Sequence, residues 1–335
     1  MTVHDIPERE IAERPTGYAG PNLSPVGLEL EPHELADGVY ALMANLLPKD
    51  NNGVVSGRDA TLVVDAGITA AVSDRIQALA AELTHRPLRY LVNTTYHGDH
   101  TFGNAAFPAG VTVISSRINK QNMTDLGYEK FTRSKNMYGD EHLLDAVTDW
   151  RAPDVVFDSR AEVDLGGRVV ELWHFGAGNG PGDTVAYVPD ARVAWTGNYL
   201  CHAGTAPMLL QGGPEPYLAS LRRMAETLPD LRTVVPGHGP AGDGHEAIRW
   251  LIDYLERLRD DVIALHAAGH TLEETLDLCP SPYENGLDDR LRTALAGYDG
   301  PQDAVQDGFL ALCRNLHRLN VLATYRVVVA SARPV

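Results

Sequence analysis

Residues 93–104 read NTTYHGDHTFGN and follow a short apolar run at residues 89–92. Three potential metal ligands stand within four positions of this polar stretch: His97, Asp99 and His100. Imidazole and carboxylate together suit borderline transition metals such as zinc and iron. In a loop, neighbouring side chains point in different directions, so several of them can face one site. The stretch therefore predicts a metal site in a loop that follows a β-strand.

Three further segments end in polar turns. A Gly-rich turn, GAGNGPGDT, spans residues 176–184, and TGN at residues 196–198 directly follows an apolar run. The third, VVPGHGP at residues 234–240, is a predicted strand that ends in a tight turn presenting His238. Each segment alone is typical of an ordinary hairpin loop or a structural histidine, so only their combination and order indicate a function.

In this order, the four segments resemble the metallo-β-lactamase superfamily over roughly residues 35–245. The family's motifs are His-x-His-x-Asp-His on a loop after a strand, a Gly-His-Thr-x-Gly-Asp turn, an aspartate at a strand end and a Pro-Gly-His turn. The resemblance implies an α/β fold, a four-layer αββα sandwich. Two β-sheets would pack face to face, with helices outside and metal ions at one edge. It also implies an enzyme in which metal polarises a carbonyl group.

The sequence departs from the family pattern at three ligand positions. Thr95 and Asn179 stand where the family has histidines, and Asn198 replaces the aspartate that usually bridges two metals. The resemblance implies that the first metal site would use positions 95, 97 and 179, so two of its three histidines are missing. We expect these substituted positions to lie in the pocket without holding a metal.

The second metal site of the family is complete in this chain. The resemblance assigns it to Asp99, His100 and His238, a set of two histidines and one carboxylate. We expect at most one transition-metal ion per chain, zinc or iron, at these residues. A pocket without metal is the alternative.

A narrower resemblance extends into the C-terminal part of the chain. LCHAGTAPM (residues 200–208), PGHGP (236–240) and RNLHR (314–318) are similar to a branch of bacterial metallo-β-lactamase-like proteins that includes cyclases and thioesterases of aromatic polyketide pathways. This similarity implies the biosynthesis of a polyketide-like secondary metabolite, such as an antibiotic. His317 stands beside leucines in a predicted helix, and we interpret it as structural.

Four residues are candidates for proton transfer or for stabilising charge: Tyr96, His97, Asp99 and His202. His97, released from metal binding, suits a general acid or base because the pKa of histidine lies near neutrality. Tyr96 either donates a hydrogen bond to an oxyanion or packs against a lid. His202 follows the TGN segment and either faces the pocket or lies away from it. Cys201 has no base fixed beside it, so we do not expect a nucleophile there.

The missing first site shapes the expected reaction. In this family, hydrolytic water normally sits between two metals, so losing one site should weaken plain hydrolysis most. We therefore expect cyclisation, dehydration or another lyase-like step on a carbonyl-rich small molecule. The alternatives are a mononuclear metal-dependent hydrolase or thioesterase, a metal-free enzyme that uses the same pocket, and a non-catalytic binding protein on a decayed hydrolase fold.

The expected partner is a small organic substrate. Residues 119–150 are polar and aromatic without a strong period, and we predict that they form short helices that roof the pocket. Their aromatic side chains favour an apolar or aromatic substrate; they are Tyr128, Phe131, Tyr138 and Trp150. A homodimer is compatible with the sequence.

Composition argues against other partners and locations. The chain has 335 residues and a formal net charge of -17, which disfavours nucleic acid and anionic membranes as partners. Its three cysteines are widely spaced, so a disulfide framework is not expected. The opening residues, MTVHDIPEREIAERPTG, lack the apolar stretch of a secretory signal, and no run has the length of a membrane span. We expect a cytoplasmic protein.

The chain divides into three predicted segments: an N-terminal arm at residues 1–34, a metallo-β-lactamase-like domain at 35–245 and a helical extension at 246–335. Apolar and alternating runs predict strands at residues 38–44, 60–65, 89–92, 111–115, 185–188, 193–195 and 233–235, and a hairpin within 163–173. Helical spacing predicts helices at 68–83, 216–228, 248–265 and 305–330. Thr271 and Glu274 form a predicted capping box of one more helix.

Overall fold

The computed structural model describes residues 13–210 and 212–332. Its strands form two mixed sheets. The first sheet runs in the order β1 to β7, with strands β1 Leu30–Ala36, β2 Val39–Ala44, β3 Asn52–Ser56, β4 Thr61–Val64, β5 Leu88–Val92, β6 Thr112–Ser116 and β7 Val155–Phe157. The second runs from β13 back to β8, with strands β8 Arg160–Asp164, β9 Val169–Trp173, β10 Val185–Val188, β11 Val193–Gly197, β12 Thr233–Pro236 and β13 Gly242–Asp243.

Both sheets change from antiparallel to parallel pairing. In the first sheet, β1 to β4 pair antiparallel and β4 to β7 pair parallel. In the second sheet, β11 and β12 are the parallel pair. Parallel neighbours need a crossover connection, which is usually a helix. The helices are α1 Ala70–Thr84, α2 Gly98–Thr101, α3 Arg117–Asn122, α4 Leu126–Ser134, α5 Pro214–Thr227, α6 Gly244–Ala267, α7 Leu272–Leu278, α8 Asp289–Ala294 and α9 Gln302–Ser331.

The two sheets pack face to face around an apolar layer. Val55 and Leu62 from the first sheet meet Leu172 and Trp195 from the second in one buried cluster. Trp195 Nε1 donates a hydrogen bond to the Asn52 carbonyl oxygen (3.1 Å), and the indole lies where a Cβ on residue 53 would stand. Glycine at that position therefore allows the sheets to approach.

Helices cover the outer face of each sheet. Ile76 and Leu79 of α1 belong to the cluster on the first sheet, and Leu221 of α5 and Leu251 of α6 belong to the cluster on the second. The layer order is thus helix, sheet, sheet, helix, which confirms the predicted αββα sandwich. The helical extension, α6 to α9, packs on the second sheet's helical side, with α9 against α6.

The elements confirm most of the sequence prediction and add four strands to it. Hairpins form at both predicted turns, and Thr271 and Glu274 make the predicted capping box. Strands β1, β3, β7 and the two-residue β13 were not predicted. Four of the seven residues of β1 are exposed, so its sequence, LEPHELA, does not show the alternation of a half-buried strand.

Residues 13–29 of the N-terminal arm contain no helix or strand and contact the segment after α4. Leu23 N donates to the Asn136 carbonyl oxygen (2.8 Å), and the Tyr138 hydroxyl donates to the Gly20 carbonyl oxygen (2.6 Å). Residues 1–12, which belong to the predicted arm, lie outside the described part of the chain. None of the described helices combines the length and apolar character needed to cross a membrane.

Candidate metal centre and its cavity

The motif loop and the Pro-Gly-His turn come together at one edge of the sandwich. The loop follows β5, and the turn follows β12. A third segment joins them, because Asp50 forms an isolated β-bridge with His238 just before β3. Asn51 fixes this contact: its backbone N–H donates to Gly237 O (2.7 Å), and its side-chain amide donates to Gly239 O (2.8 Å).

Four side chains form one compact cluster of potential ligands: Asp50, Asp99, His100 and His238. One ligand atom from each lies within 4.8 Å of the others. Asp99 Oδ2 is 3.3 Å from His238 Nε2 and 3.6 Å from His100 Nε2. The three residues predicted for the second metal site are therefore together, and Asp50 joins them.

Hydrogen bonds to the far nitrogen of each histidine orient the cluster. His100 Nδ1 lies 2.9 Å from Asp65 Oδ2, and Asp65 in turn accepts hydrogen bonds from the Thr94 backbone (2.8 Å) and hydroxyl (2.6 Å). His238 Nδ1 lies 2.9 Å from the Pro48 carbonyl oxygen and 3.1 Å from Asp50 Oδ1. A proton on each Nδ1 leaves the Nε2 lone pair facing the cluster, which is how metal-binding histidines are usually held.

The donor set fits one transition-metal ion. His100 Nε2 is buried without a hydrogen-bond partner. Leaving such groups unpaired is unfavourable in a protein interior, and a metal ion would satisfy them. Two imidazoles with two carboxylates suit zinc, iron or manganese.

The charges of the cluster are strongly coupled. Although burial disfavours its charged form, His100, His238 and Arg133 hold the pKa of Asp99 well below its usual value. Burial alone would lower the pKa of His100, but the carboxylates of Asp65 and Asp99 outweigh it and raise that pKa to about 10. Burial raises the pKa of Asp50 to about 7. Without a metal, the cluster thus retains a proton that a cation would displace.

Arg133 of α4 contacts the cluster from the other side. Its Nη1 lies 3.4 Å from Asp99 Oδ1, and its Nε lies 2.9 Å from Glu129 Oε1. Glu129 also accepts a hydrogen bond from Gly98 N (2.7 Å), at the start of α2. Arg133 therefore ties the motif helix to α4 and holds the Asp99 oxygen that faces away from His238.

The substituted first-site positions make contacts with protein atoms. Asn198 Nδ2 lies 3.0 Å from His97 Nδ1, and Asn179 Nδ2 donates to the Met208 carbonyl oxygen (2.8 Å). The Thr95 side chain is buried, and it is not among the residues that line the cavity. Within residues 13–210 and 212–332, the four-residue cluster is the one group of three or more metal-ligating side chains this close together.

A cavity of about 380 Å³ opens above the cluster. Of the predicted site residues, His97, Asp99, Asn179, Asn198 and His238 line it, whereas His100 is buried beneath. Asp99 and His238 thus form a floor through which the cluster is accessible from the cavity.

Two predicted catalytic residues are not among those that line the cavity. Tyr96 packs edge-to-face on the His97 ring, with 4.6 Å between centroids. His202 turns its Nδ1 to the Ala203 carbonyl oxygen (2.6 Å), and its ring lies against Gly242. From the LCHAGTAPM segment, Cys201 and four residues at 205–208 line the cavity instead.

The predicted covering segment lines the cavity through Tyr128, Thr132, Arg133, Lys135 and Asn136, but with fewer aromatic residues than expected. Of the four expected aromatic residues, only Tyr128 lines the cavity. Phe131 and Tyr138 are 59% and 55% exposed, and Trp150 packs on Phe102 with its Nε1 donating to the Thr101 hydroxyl (2.8 Å). The remaining walls come from residues 14–23 of the N-terminal arm and from α9.

Comparison with known proteins supports the assignment suggested by this geometry. The model of the metallo-beta-lactamase superfamily matches residues 50–238, more than half of the chain, from Asp50 to His238. The chain belongs to the metallo-beta-lactamase superfamily. Metallo-beta-lactamases from Pontibacter korlensis (18% identity) and Erythrobacter litoralis (21%) each have a TM-score of 0.52. They cover 68% of this chain, and 99% and 96% of their own chains.

The DIM-1 metallo-beta-lactamase is similar to the same extent, at 14% identity and a TM-score of 0.52, over 68% of this chain and 97% of its own. These three superfamily structures share the fold. They match nearly end to end, so about a third of the present chain has no counterpart in them.

Proposed function

We propose that this chain is a mononuclear metal-dependent enzyme that cyclises or dehydrates a carbonyl-rich small molecule. The contact between Asn198 Nδ2 and His97 Nδ1 (3.0 Å) carries the proposal. It puts a neutral amide where the superfamily usually has a bridging carboxylate, and it engages His97 in hydrogen bonding with protein. A site so arranged favours proton transfer by His97 over delivery of water between two metals.

The same contact sets the tautomer of His97. Because Asn198 donates to Nδ1, the proton of the neutral imidazole is on Nε2. In that form His97 donates a hydrogen bond from Nε2 to a substrate oxygen; proton transfer would start from the imidazolium, whose Nδ1–H would pair with Asn198 Oδ1 after the amide turns over. Cyclisation by carbon–carbon bond formation needs a proton at the carbonyl oxygen that is attacked, and dehydration needs one at the departing hydroxyl.

The cluster of Asp50, Asp99, His100 and His238 would hold the metal. A bound zinc or iron ion would supply Lewis acidity to a carbonyl oxygen. His100, His238 and Arg133 together keep the Asp99 carboxylate charged, and Arg133 orients it through its contact with Oδ1. Tyr96 packs on the His97 ring and fixes its position, so we assign it a positioning role.

The cavity walls support a substrate with apolar or aromatic character. The segments that resemble the polyketide-pathway branch, residues 200–208 and 314–318, both contribute lining residues, including Met208 and Leu316. A folded polyketide-like chain presents carbonyls to the floor and carbon skeleton to such walls. We therefore propose a role in secondary-metabolite biosynthesis.

A mononuclear hydrolase or thioesterase is the second candidate. Asp99 and His238 both line the cavity, so the cluster lies within reach of solvent as well as substrate. Superfamily enzymes are largely hydrolytic, and a thioester carbonyl would suit the same floor.

Mass spectrometry on aryl poly-β-ketone thioesters separates these reactions. A product of equal mass, or lighter by one water, supports cyclisation or dehydration; a product heavier by water, or cleaved, supports hydrolysis. His97→Ala should retain the metal and lose about 10²- to 10⁴-fold in turnover, whereas His238→Ala should lose both. His33→Ala, in an exposed part of β1, serves as the control. Undiminished turnover in both site variants would remove this pocket from the mechanism.

A further inference from the structure

The charged side chains that line the cavity are mostly cationic, whereas the chain as a whole has a negative net charge. The chain carries 45 acidic and 28 basic side chains. Among the described residues that line the cavity, however, three are cationic (Arg14, Arg133 and Lys135) and Asp99 is the one carboxylate. A molecule with a net charge of -17 repels organic anions at long range, and the cationic side chains at the cavity oppose this repulsion there.

The three cations have different roles. Arg133 is buried and contacts two carboxylates, Asp99 and Glu129, so its charge is balanced within the protein. Lys135 is exposed at the end of α4, and its Nζ lies 4.2 Å from the centre of the Phe131 ring. Among the described residues, no carboxylate lies within ion-pair distance of Lys135. The ammonium group of Lys135 can therefore pair with an anion at the outer edge of the cavity, which we call the rim.

Arg14 belongs to the N-terminal arm and lines the same cavity. Its guanidinium stacks over the Tyr18 ring at 5.8 Å, and Nη1 donates to the Glu13 carbonyl oxygen (3.0 Å). The Glu13 carboxylate itself pairs with Arg326 of α9. The arm thus carries a second cation to the cavity.

The remaining walls provide an apolar surface. Phe309, Leu312 and Leu316 project from α9, and Pro207 and Met208 extend this surface towards the floor. The cavity therefore combines a reactive polar floor, apolar walls and cationic side chains.

We propose that the cavity binds an amphipathic organic anion, with its acidic group at Lys135 and Arg14 and its aromatic or apolar body along α9. This inference rests on the proposed function, because it specifies the substrate class of the same site. Carboxylates and phosphate esters share the required charge. In a cavity of about 380 Å³, an ion pair between the acidic group and these cations would fix which end of the substrate points outward. It thereby selects the end that reaches His97.

Calorimetric titration with 2-naphthoate, 2-naphthyl phosphate and neutral 2-naphthamide tests the proposal on the protein as purified. We expect wild type to prefer at least one of the two anions over the amide; which anion binds more tightly identifies the acid. Lys135→Met should reduce that preference by about 2- to 5-fold, the range for a partly exposed ion pair, and added Arg14→Met should reduce it further. Raising the salt concentration should weaken anion binding in wild type more than in the double variant.

Lys130→Met is the matched control. It removes the same charge from the same helix, but Lys130 donates to the Val147 carbonyl oxygen (2.9 Å) and does not line the cavity. Its preference for anions should equal that of wild type. Equal binding of the amide and both anions would overturn the proposal, as would a preference that survives in the double variant.

His238→Ala separates this proposal from the proposed function. If the anion bound directly to metal, the preference would disappear in His238→Ala and persist in Lys135→Met, which would also overturn the rim site. If the preference depends on Lys135 but His97→Ala retains full turnover, the anion site stands and the proposed chemistry fails.

Discussion

Acidification should destabilise this protein through His317, a buried histidine on α9. Its Nδ1 lies 3.1 Å from the Tyr254 hydroxyl, and burial lowers its pKa from 6.5 to about 4. Between these values the unfolded chain binds a proton that the folded chain excludes, so stability is lost as pH falls through this window. At pH 5, the two pKa values correspond to a loss of about 2 kcal/mol in the free energy of unfolding relative to neutral pH.

The contacts of His317 connect this loss to the cavity. Tyr254 also receives a hydrogen bond from Asn320 Nδ2 (3.1 Å), which donates to Pro207 O as well (2.9 Å), and Asn320 Oδ1 accepts from Leu209 N (2.8 Å). Proton uptake at His317 would disturb the network that holds the wall at residues 207–209.

Urea unfolding of wild type and His317→Gln at pH 7.5 and pH 5.0 measures this effect. Buried carboxyls titrate with the opposite sign, because burial raises the pKa of Asp183 to about 7 and its folded form retains a proton. The informative quantity is therefore the difference between the two proteins. We expect wild type to lose about 2 kcal/mol more than the variant, and His33→Gln, whose side chain is 56% exposed, to behave as wild type. Equal losses in wild type and His317→Gln would refute the reasoning.

Three further predictions concern the metal centre. Asp50→Asn should weaken zinc binding by about 10- to 100-fold in competition titrations, because it removes a carboxylate from the cluster and from His238; unchanged affinity would exclude Asp50 from the site. Zinc affinity should rise by about tenfold per pH unit between pH 7.5 and 9, since binding displaces the proton held by His100, whose pKa is raised to about 10; a flat profile would contradict this displacement. The combined variant Thr95→His, Asn179→His and Asn198→Asp should increase the metal content to about two ions per chain. An unchanged metal content would show that restoring these three ligands is not sufficient for metal binding at the first site.

The fold could be predicted from the sequence because its motifs occur at strand ends in a fixed order. Asp99 and His100 lie more than a hundred residues before His238 in the sequence, yet the segments that carry them each follow a strand of the sandwich. Asp50 could not be predicted in the same way. No motif surrounds it, and only the β-bridge to His238 brings it to the cluster.

The cavity walls were least accessible to sequence reasoning. The predicted segment does line the cavity through residues 128–136, but of its four aromatic residues only Tyr128 takes part, and the arm and α9 supply further walls. These segments reach the cavity through long-range contacts, such as the ion pair between Glu13 and Arg326, that leave no local pattern. His202 was a candidate only because it follows the third motif, and its ring lies against Gly242.

Elemental analysis of gently purified wild type and His238→Ala tests the central claim most directly. The described part of the chain has one buried ligand cluster, and the side-chain amides of Asn198 and Asn179, at the first-site positions, are engaged with protein atoms. We therefore expect close to one zinc or iron ion per wild-type chain and almost none in the variant. A wild-type content near zero or near two, or an undiminished content in His238→Ala, would contradict a mononuclear centre at this cluster.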